Sequence, residues 1–303
     1  MRSTFVNALL CEAKKNKNIE LLTGDLGFGV LKDYIEQFSD RFTNCGIAEQ
    51  NMLSVAGGMA SQGKCVVVYS IGNFPTLRAL EQIRNDICYY NHNVKIVCIG
   101  GGYTYGSLGM SHHATEDIAV MRSMPNMTVF APSDKVEAEL CVKKMFDIKG
   151  PCYLRLERDS NSVFHNLNLI TNILTIQPVI VNRSKFAIFT YGTIIEEIYP
   201  LCFKFNIDLF TVPCLKPTDQ KTLIEVLSKY DKVFTVEEHS TIGGLGDLIS
   251  GVVAGIKNKR PIVFKIGISD TFLSDVGNQK YMRMCAKIDE ASLETAILNE
   301  MNK

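Results

Sequence analysis

Short, almost wholly apolar runs alternate along the first half of the chain with longer stretches in which apolar positions recur at helical spacing. The runs at 21–23, 65–69, 94–99, 127–130 and 153–156 are short and rich in Val, Ile and Leu, which predicts strands. The stretches 47–62, 77–90, 115–124 and 136–146 read as helices between them. Strands apolar on both faces and separated by helices predict a parallel sheet covered on both sides. Asp134, just after Pro132 and followed closely by Glu137, marks the start of the fourth helix. The pattern dissolves over 160–178, where Asn is frequent, and then resumes with strands at 186–189, 207–212, 232–236 and 262–266 and a closing helix at 290–299. The expected fold class is α/β with two parallel-sheet domains: residues 1–165, a linker at 166–180, and residues 181–303.

Composition narrows the partners. The 303 residues are 46% hydrophobic and 21% charged, and 32 Lys plus Arg balance 32 Asp plus Glu with the signs interspersed. Nothing there offers the basic surface that nucleic acid or an anionic membrane requires, so neither is expected as a partner. The ten cysteines form no CxxC pair, and several lie inside apolar runs, as Cys65 and Cys98 do. They read as small buried hydrophobes of a reduced protein rather than as a disulfide framework. The opening residues lack the apolar core of a signal peptide, and no run approaches the ~18 apolar residues of a membrane span, so a cytoplasmic location is expected.

Three loops carry candidate chemistry. Gly24-Asp25-Leu26-Gly27-Phe28-Gly29 follows the first strand but lacks the spacing of a dinucleotide fingerprint. Gly46-Ile47-Ala48-Glu49-Gln50-Asn51-Met52 opens a helix that is small and apolar almost all round, which predicts close packing on every side. Glu49 in its first turn is either an acid favoured by the helix dipole or a functional carboxylate withdrawn from water; position alone leaves both open. The third loop, residues 100–113, is glycine-rich and ends in Ser111-His112-His113. Zinc is the rival use of a histidine pair, but no Cys, Asp or Glu stands nearby at a familiar ligand spacing.

These segments resemble, in order, the transketolase and deoxyxylulose-phosphate synthase branch of thiamine diphosphate enzymes. The likeness rests on Asp25-Leu26, Gly46 to Met52, Arg78-Ala79 with Glu81 to Asp86, Gly109-Met110-Ser111-His112-His113, Glu116 to Arg122, Met124 to Met127, Ala131 to Asp134, and Glu237-Glu238-His239 with Gly243 to Gly246. It implies that Glu49 hydrogen-bonds the aminopyrimidine ring nitrogen and so activates the cofactor for attack on a ketose carbonyl. Asp25 would lie in the cofactor site. Phe74 would stack on the pyrimidine, although a plain core aromatic reads nearly as well. His112 would contact substrate, with His113 in the place of a Gln, and Arg158 would hold a phosphate. A family Asp and a further family His fall on Leu108 and Gly100, which points away from the ordinary pentose phosphate substrates. The resemblance makes Glu237, Glu238 and His239 structural, or interface residues near the cofactor.

No metal ligands are expected on this chain. The family binds Mg²⁺ and the diphosphate on an N-terminal domain with a Gly-Asp-Gly motif, which has no counterpart here. The resemblance therefore implies a partner chain carrying that domain, an α2β2 assembly, and a sugar-phosphate ketol transferase. The alternatives at this point are the β subunit of a 2-oxoacid dehydrogenase, a deoxyxylulose-phosphate-synthase-like enzyme, and a non-catalytic binding or regulatory subunit.

Overall fold

The computed structural model describes residues 1–158 and 162–303; Asp159, Ser160 and Asn161, near the end of the expected first domain, lie outside the described residues. In chain order the strands are β1 (Ile19–Thr23), β2 (Phe42–Asn44), β3 (Cys65–Ile71), β4 (Val94–Ile99), β5 (Thr128–Phe130), β6 (Cys152–Leu156), β7 (Gln177–Ile180), β8 (Phe186–Thr190), β9 (Asp208–Thr211), β10 (Cys214–Lys216), β11 (Lys232–Ser240) and β12 (Ile262–Ile268). They build two sheets, one ordered β10-β5-β6-β4-β3-β1-β2 and the other β12-β11-β8-β9-β7. All pairings are parallel except two at the edges, β10 with β5 and β7 with β9. The expected α/β class with parallel sheets is what the chain adopts, with one antiparallel edge strand added to each sheet. Among the described residues no helix is long and apolar enough to cross a membrane.

Neither edge strand is a long apolar run, and β10 sits away from the sheet it would join by sequence order. Strand β7 lies inside the expected linker and carries Pro178, a residue tolerated at a sheet edge because it donates no ladder hydrogen bond. Strand β10 comes from beyond β9 yet closes the first sheet, pairing Cys214 with Phe130.

The first sheet is apolar on both faces for the reason the sequence suggests: helices cover both. One face packs under Arg2–Lys15 and Lys135–Asp147 through Phe5, Leu9, Val67, Val97, Leu154 and Val142. The other face shares a continuous core with the second sheet, running from Leu22, Val68 and Ile96 through Tyr153 to Phe189, Phe210 and Val233. A third cluster, including Ile188, Phe234, Leu209 and Ile198, covers the outer face of the second sheet.

Two helical stretches differ from the expectation. The helix at 47–62 forms as Glu49–Ser61 but is buried along one face only, through Met52, Leu53, Ala56, Gly57 and Ala60. Gln50, Asn51, Ser54 and Val55 are exposed, so the chain alone does not pack this helix on every side. Small residues permit close packing without requiring it: Gly57 lies against the backbone of Asp86, 2.8 Å from where a Cβ would stand, while Gly58 faces open space. The stretch 77–90 is broken into Asn73–Arg78, a short turn, and a π-helical segment Ile83–Cys88. Arg78 ends the first of these pieces, and its side chain reaches the helix beginning with Glu49.

Asp134 caps its helix as its sequence position suggests, accepting hydrogen bonds from Val136 N at 3.0 Å and Glu137 N at 2.9 Å. Its other oxygen accepts from Phe164 N at 2.8 Å and His165 N at 3.0 Å and lies 3.0 Å from His165 Nδ1, which ties the following segment to the first sheet. Burial opposes charge on His165, but the Glu137 and Asp134 carboxylates outweigh it and raise its pKa above the ordinary histidine value. A raised folded-state pKa contributes stability that is complete below the unfolded value of about 6.5 and lost as pH rises through the folded value. Unfolding free energy measured with urea should therefore fall as pH rises above about 6.5, and His165→Gln should flatten that fall. Asp134→Ala, which orphans this whole set of donors, should cost at least about 3 kcal/mol in the same assay.

Candidate active site

The singled-out side chains all follow first-sheet strands at their carboxyl ends, where open α/β sheets hold ligands. Asp25 follows β1, Glu49 follows β2, Phe74 follows β3, the histidine pair follows β4 and Arg158 follows β6. The chain leaves β1 for β2 on one side and returns to β3 on the other, so the switch point lies between β1 and β3.

Glu49 is the first residue of its helix and is entered through a tight turn in which Ala48 N donates to the Gly46 carbonyl at 2.8 Å. Only 5% of the residue is exposed. Its Oε1 accepts a hydrogen bond from Arg78 Nη1 at 3.2 Å. The Arg78 guanidinium lies 4.1 Å from the centroid of the Phe74 ring. Phe74 in turn meets the His112 ring edge-on at 5.0 Å. Four side chains thus form one line from acid to imidazole. Each attachment of half-exposed Arg78 is worth only about 0.5–1 kcal/mol, so the guanidinium is weakly held. An open depression of about 440 Å³ lies in front, lined by Ile47 to Asn51 and Arg78.

His112 is half-buried, with Nδ1 3.0 Å from Ser111 Oγ. Partial burial, then the Arg78 cation and His113, lower its pKa, which leaves the ring neutral near pH 7. His113 turns inward, edge-on to Tyr103 at 5.0 Å, and its main-chain carbonyl accepts a hydrogen bond from Asn73 Nδ2. Burial lowers its pKa too, against the pull of the Gly106 carbonyl and Glu116. It lines a second cavity of about 310 Å³ that Thr271, Phe272 and Leu273 close from the other sheet's side. Among the described residues no group of three or more His, Cys, Asp or Glu is placed to hold a metal ion.

Asp25 is exposed and does not join the line from Glu49. It exchanges hydrogen bonds with Asn44, receiving from Nδ2 at 3.0 Å and donating its N–H to Oδ1 at 2.9 Å, and the same Oδ1 takes Gly46 N at 3.0 Å. Asp25 therefore braces the turn that leads to Glu49. Arg158 is exposed two strands away from β3, with its guanidinium 5.5 Å from the Tyr105 ring centroid. A larger depression of about 580 Å³ between helices Arg2–Lys15 and Lys135–Asp147 contains none of these groups.

The histidine loop is anchored from the second sheet. Tyr103 N donates to Glu238 Oε1 at 2.6 Å, and Gly102, at φ +60°, leaves room for that carboxylate, whose Cγ is 2.6 Å from where a Cβ would stand. Glu238 Oε2 accepts from Arg283 Nε at 2.7 Å. Arg155 pairs with Asp117 at 3.2 Å and Glu157 at 3.1 Å and donates to the Glu238 carbonyl at 2.9 Å. All five charged groups are buried. Glu237 caps helix Leu245–Ala254 through Leu245 N at 2.8 Å and Gly246 N at 2.9 Å, and His239 Nε2 takes Ala119 N at 3.3 Å. The anchoring roles of Glu238 and Arg78 depend on contacts between distant segments, 135 and 29 residues apart, for which the local pattern carries no signal.

Two family matches cover most of the chain: transketolase, pyrimidine binding domain, over residues 1–162, and transketolase, C-terminal domain, over residues 179–291. The chain belongs to the transketolase family. Among its transketolase relatives, a putative transketolase C-terminal section of Methanocaldococcus jannaschii is 34% identical over 100% of this chain and 96% of that protein. One subunit of the apulose-4-phosphate transketolase of Actinobacillus succinogenes is 34% identical over 86% of this chain and 85% of its own length. A solved split-gene transketolase, described as an inactive beta4 tetramer, superposes with a TM-score of 0.86 at 30% identity, covering 98% of this chain and 96% of that one.

Glu238→Ala strands Arg283 without one of its buried carboxylates and leaves Tyr103 N unpaired. It should destabilise the fold by about 3–5 kcal/mol in denaturant unfolding, far beyond any exposed ion-pair substitution.

Proposed function

We propose that this chain is the pyrimidine-binding, C-terminal subunit of a two-subunit thiamine diphosphate-dependent transketolase, moving a two-carbon ketol unit between phosphorylated sugars. The observation that carries the reading is the line Glu49–Arg78–Phe74–His112 beside an open depression at the sheet's switch point. The residues fit the pyrimidine end of the cofactor: a carboxyl 5% exposed, and an aromatic ring one guanidinium away. When bound, the cofactor supplies the carbon nucleophile that protein side chains lack. Glu49 holds a proton at the ring nitrogen, Phe74 orients the ring, and Asp25 fixes the turn that presents Glu49. Neutral His112 donates to or accepts from the substrate oxygens, His113 closes the inner wall, and exposed Arg158 takes the phosphate.

A partner carrying the diphosphate and Mg²⁺ site is supported by relatives described as a C-terminal section and as one subunit of a transketolase. It is supported also by Phe28, Ile47, Leu108 and Met110, all exposed on the loops around the site, where a covering surface would dry the chemistry. An α2β2 assembly in the reducing cytoplasm suits this reading, and all ten cysteines are free. A ketol transferase is favoured over the β chain of a 2-oxoacid dehydrogenase because the relatives described in this way are transketolases.

Two measurements test it. By calorimetry the isolated chain should bind thiamine diphosphate with Mg²⁺ poorly, and the diphosphate-binding subunit should restore binding; tight Mg²⁺-dependent binding by the chain alone would sink the two-subunit reading. In the reconstituted pair, Glu49→Gln should lower turnover by about 10²–10⁴-fold, the range of general acid–base catalysis, with little change in the unfolding midpoint. Unchanged turnover would leave the chain a binding subunit only.

A further inference from the structure

We propose that Tyr105 is a specificity-determining residue for the distal, phosphate-bearing end of the sugar; this deepens the transketolase reading above and rests on it. The observation behind it is an exchange of space at the end of β4. Gly100 has φ +105°, and a Cβ built there would lie 2.5 Å from Tyr105 Cδ2 and 2.6 Å from Cε2, with Ile71 Cγ2 at 3.8 Å. Any side chain at position 100 and the Tyr105 ring would therefore compete for one volume. The absence of a side chain at 100 is filled by a phenol from five residues further on, not by solvent.

The second departure from the family pattern belongs to the same turn. Leu108 N donates to the Tyr105 carbonyl at 2.9 Å, so Leu108 is the residue that closes the turn Tyr105 opens. Its side chain points outward and is 55% exposed. Both positions that lose a polar group are thus organised around Tyr105. Arg158 lies over the same ring, 5.5 Å from its centroid. A guanidinium resting on an aromatic face surrenders less freedom when it grips an anion, and a phenolic hydroxyl is both donor and acceptor. A half-buried ring, a hydroxyl and an exposed guanidinium at the ends of the neighbouring strands β4 and β6 suit a phosphate monoester on a sugar chain. The ring ranks as a positioning group for Arg158, and the hydroxyl as a direct contact to substrate.

The test uses the pair reconstituted from this chain and its diphosphate-binding subunit. From a panel of ketose 4-, 5- and 6-phosphates, the one the wild-type pair turns over fastest is compared with the same ketose lacking its phosphate. The wild type should favour the phosphorylated form. Tyr105→Phe should raise KM for that form about tenfold, the loss of one hydrogen bond to a charged group, while kcat and the KM for the unphosphorylated ketose stay put. Tyr105→Ala, which also removes the shelf under Arg158, should raise it further, and Arg158→Lys should move the same ratio in the same direction. Because Tyr105→Phe keeps the ring, its unfolding midpoint should match the wild type. An unchanged KM ratio in both tyrosine variants overturns the assignment, as does an equal fall in kcat on both forms, which would make Tyr105 a loop-shaping residue only. A wild-type pair that transfers ketol units without favouring the phosphate overturns it while leaving the transketolase reading intact. A pair that transfers no ketol unit from any ketose fails the transketolase reading itself, and Tyr105 with it.

Discussion

Two arginines and three carboxylates buried between the sheets set the geometry of everything around them. Arg155 with Asp117 and Glu157, and Arg283 with Glu238, are each almost wholly withdrawn from water. A charge in that position is tolerable only when its partner is in place, and continuum arguments give such clusters little net stabilising power compared with apolar packing. Their effect is selective: any other docking of one sheet on the other leaves a buried ion unpaired and costs several kcal/mol. The shared apolar core supplies the adhesion, and the ions decide its register. Because Glu238 also accepts the Tyr103 N–H, that register extends to the loop carrying His112 and His113.

On the proposed function, the site is half of a catalytic surface. Its charged and aromatic groups are aligned but open, and the side chains around them that face water include large apolar ones, Ile47 and Leu108. Weakly held Arg78 fits that state: it occupies Glu49 and Phe74 together and can yield to a ring that offers both a better partner. The half-buried neutral imidazole of His112 at the end of the line adds hydrogen-bonding capacity without a second fixed positive charge beside Arg78.

What the sequence made legible followed from local pattern. Strands β1, β3, β4 and β6 are buried on both faces and largely apolar, which their short runs of Val, Ile and Leu announce. Asp134 was recognisable because a cap is read from two or three adjacent residues. Glu49 was visible only as an acid at a helix start, and a sequence motif, not periodicity, raised it above that. The short edge strands β2, β7 and β10 carry no pattern, since two are only three residues long and end on a polar residue, and one contains proline. The all-round packing expected of Glu49–Ser61 failed because small side chains do not specify a neighbour, and the chain supplies one on a single face. Arg78 and Glu238 take their positions from contacts across the fold, where a one-dimensional pattern has nothing to say.

Strand β10 sets the order in which the molecule can be finished. The first sheet has all its other strands once Leu156 is made, yet the edge at β5 stays open until Cys214–Lys216 arrives, after β7, β8 and β9 of the second sheet have been synthesised. On the ribosome the first half therefore waits with unpaired backbone at Phe130 and its neighbours, the kind of edge that recruits other strands. The last strand to join is threaded back from the other sheet, so completing one half certifies that the other has begun to fold. A gene cut between the two halves would release a first half with that edge permanently open.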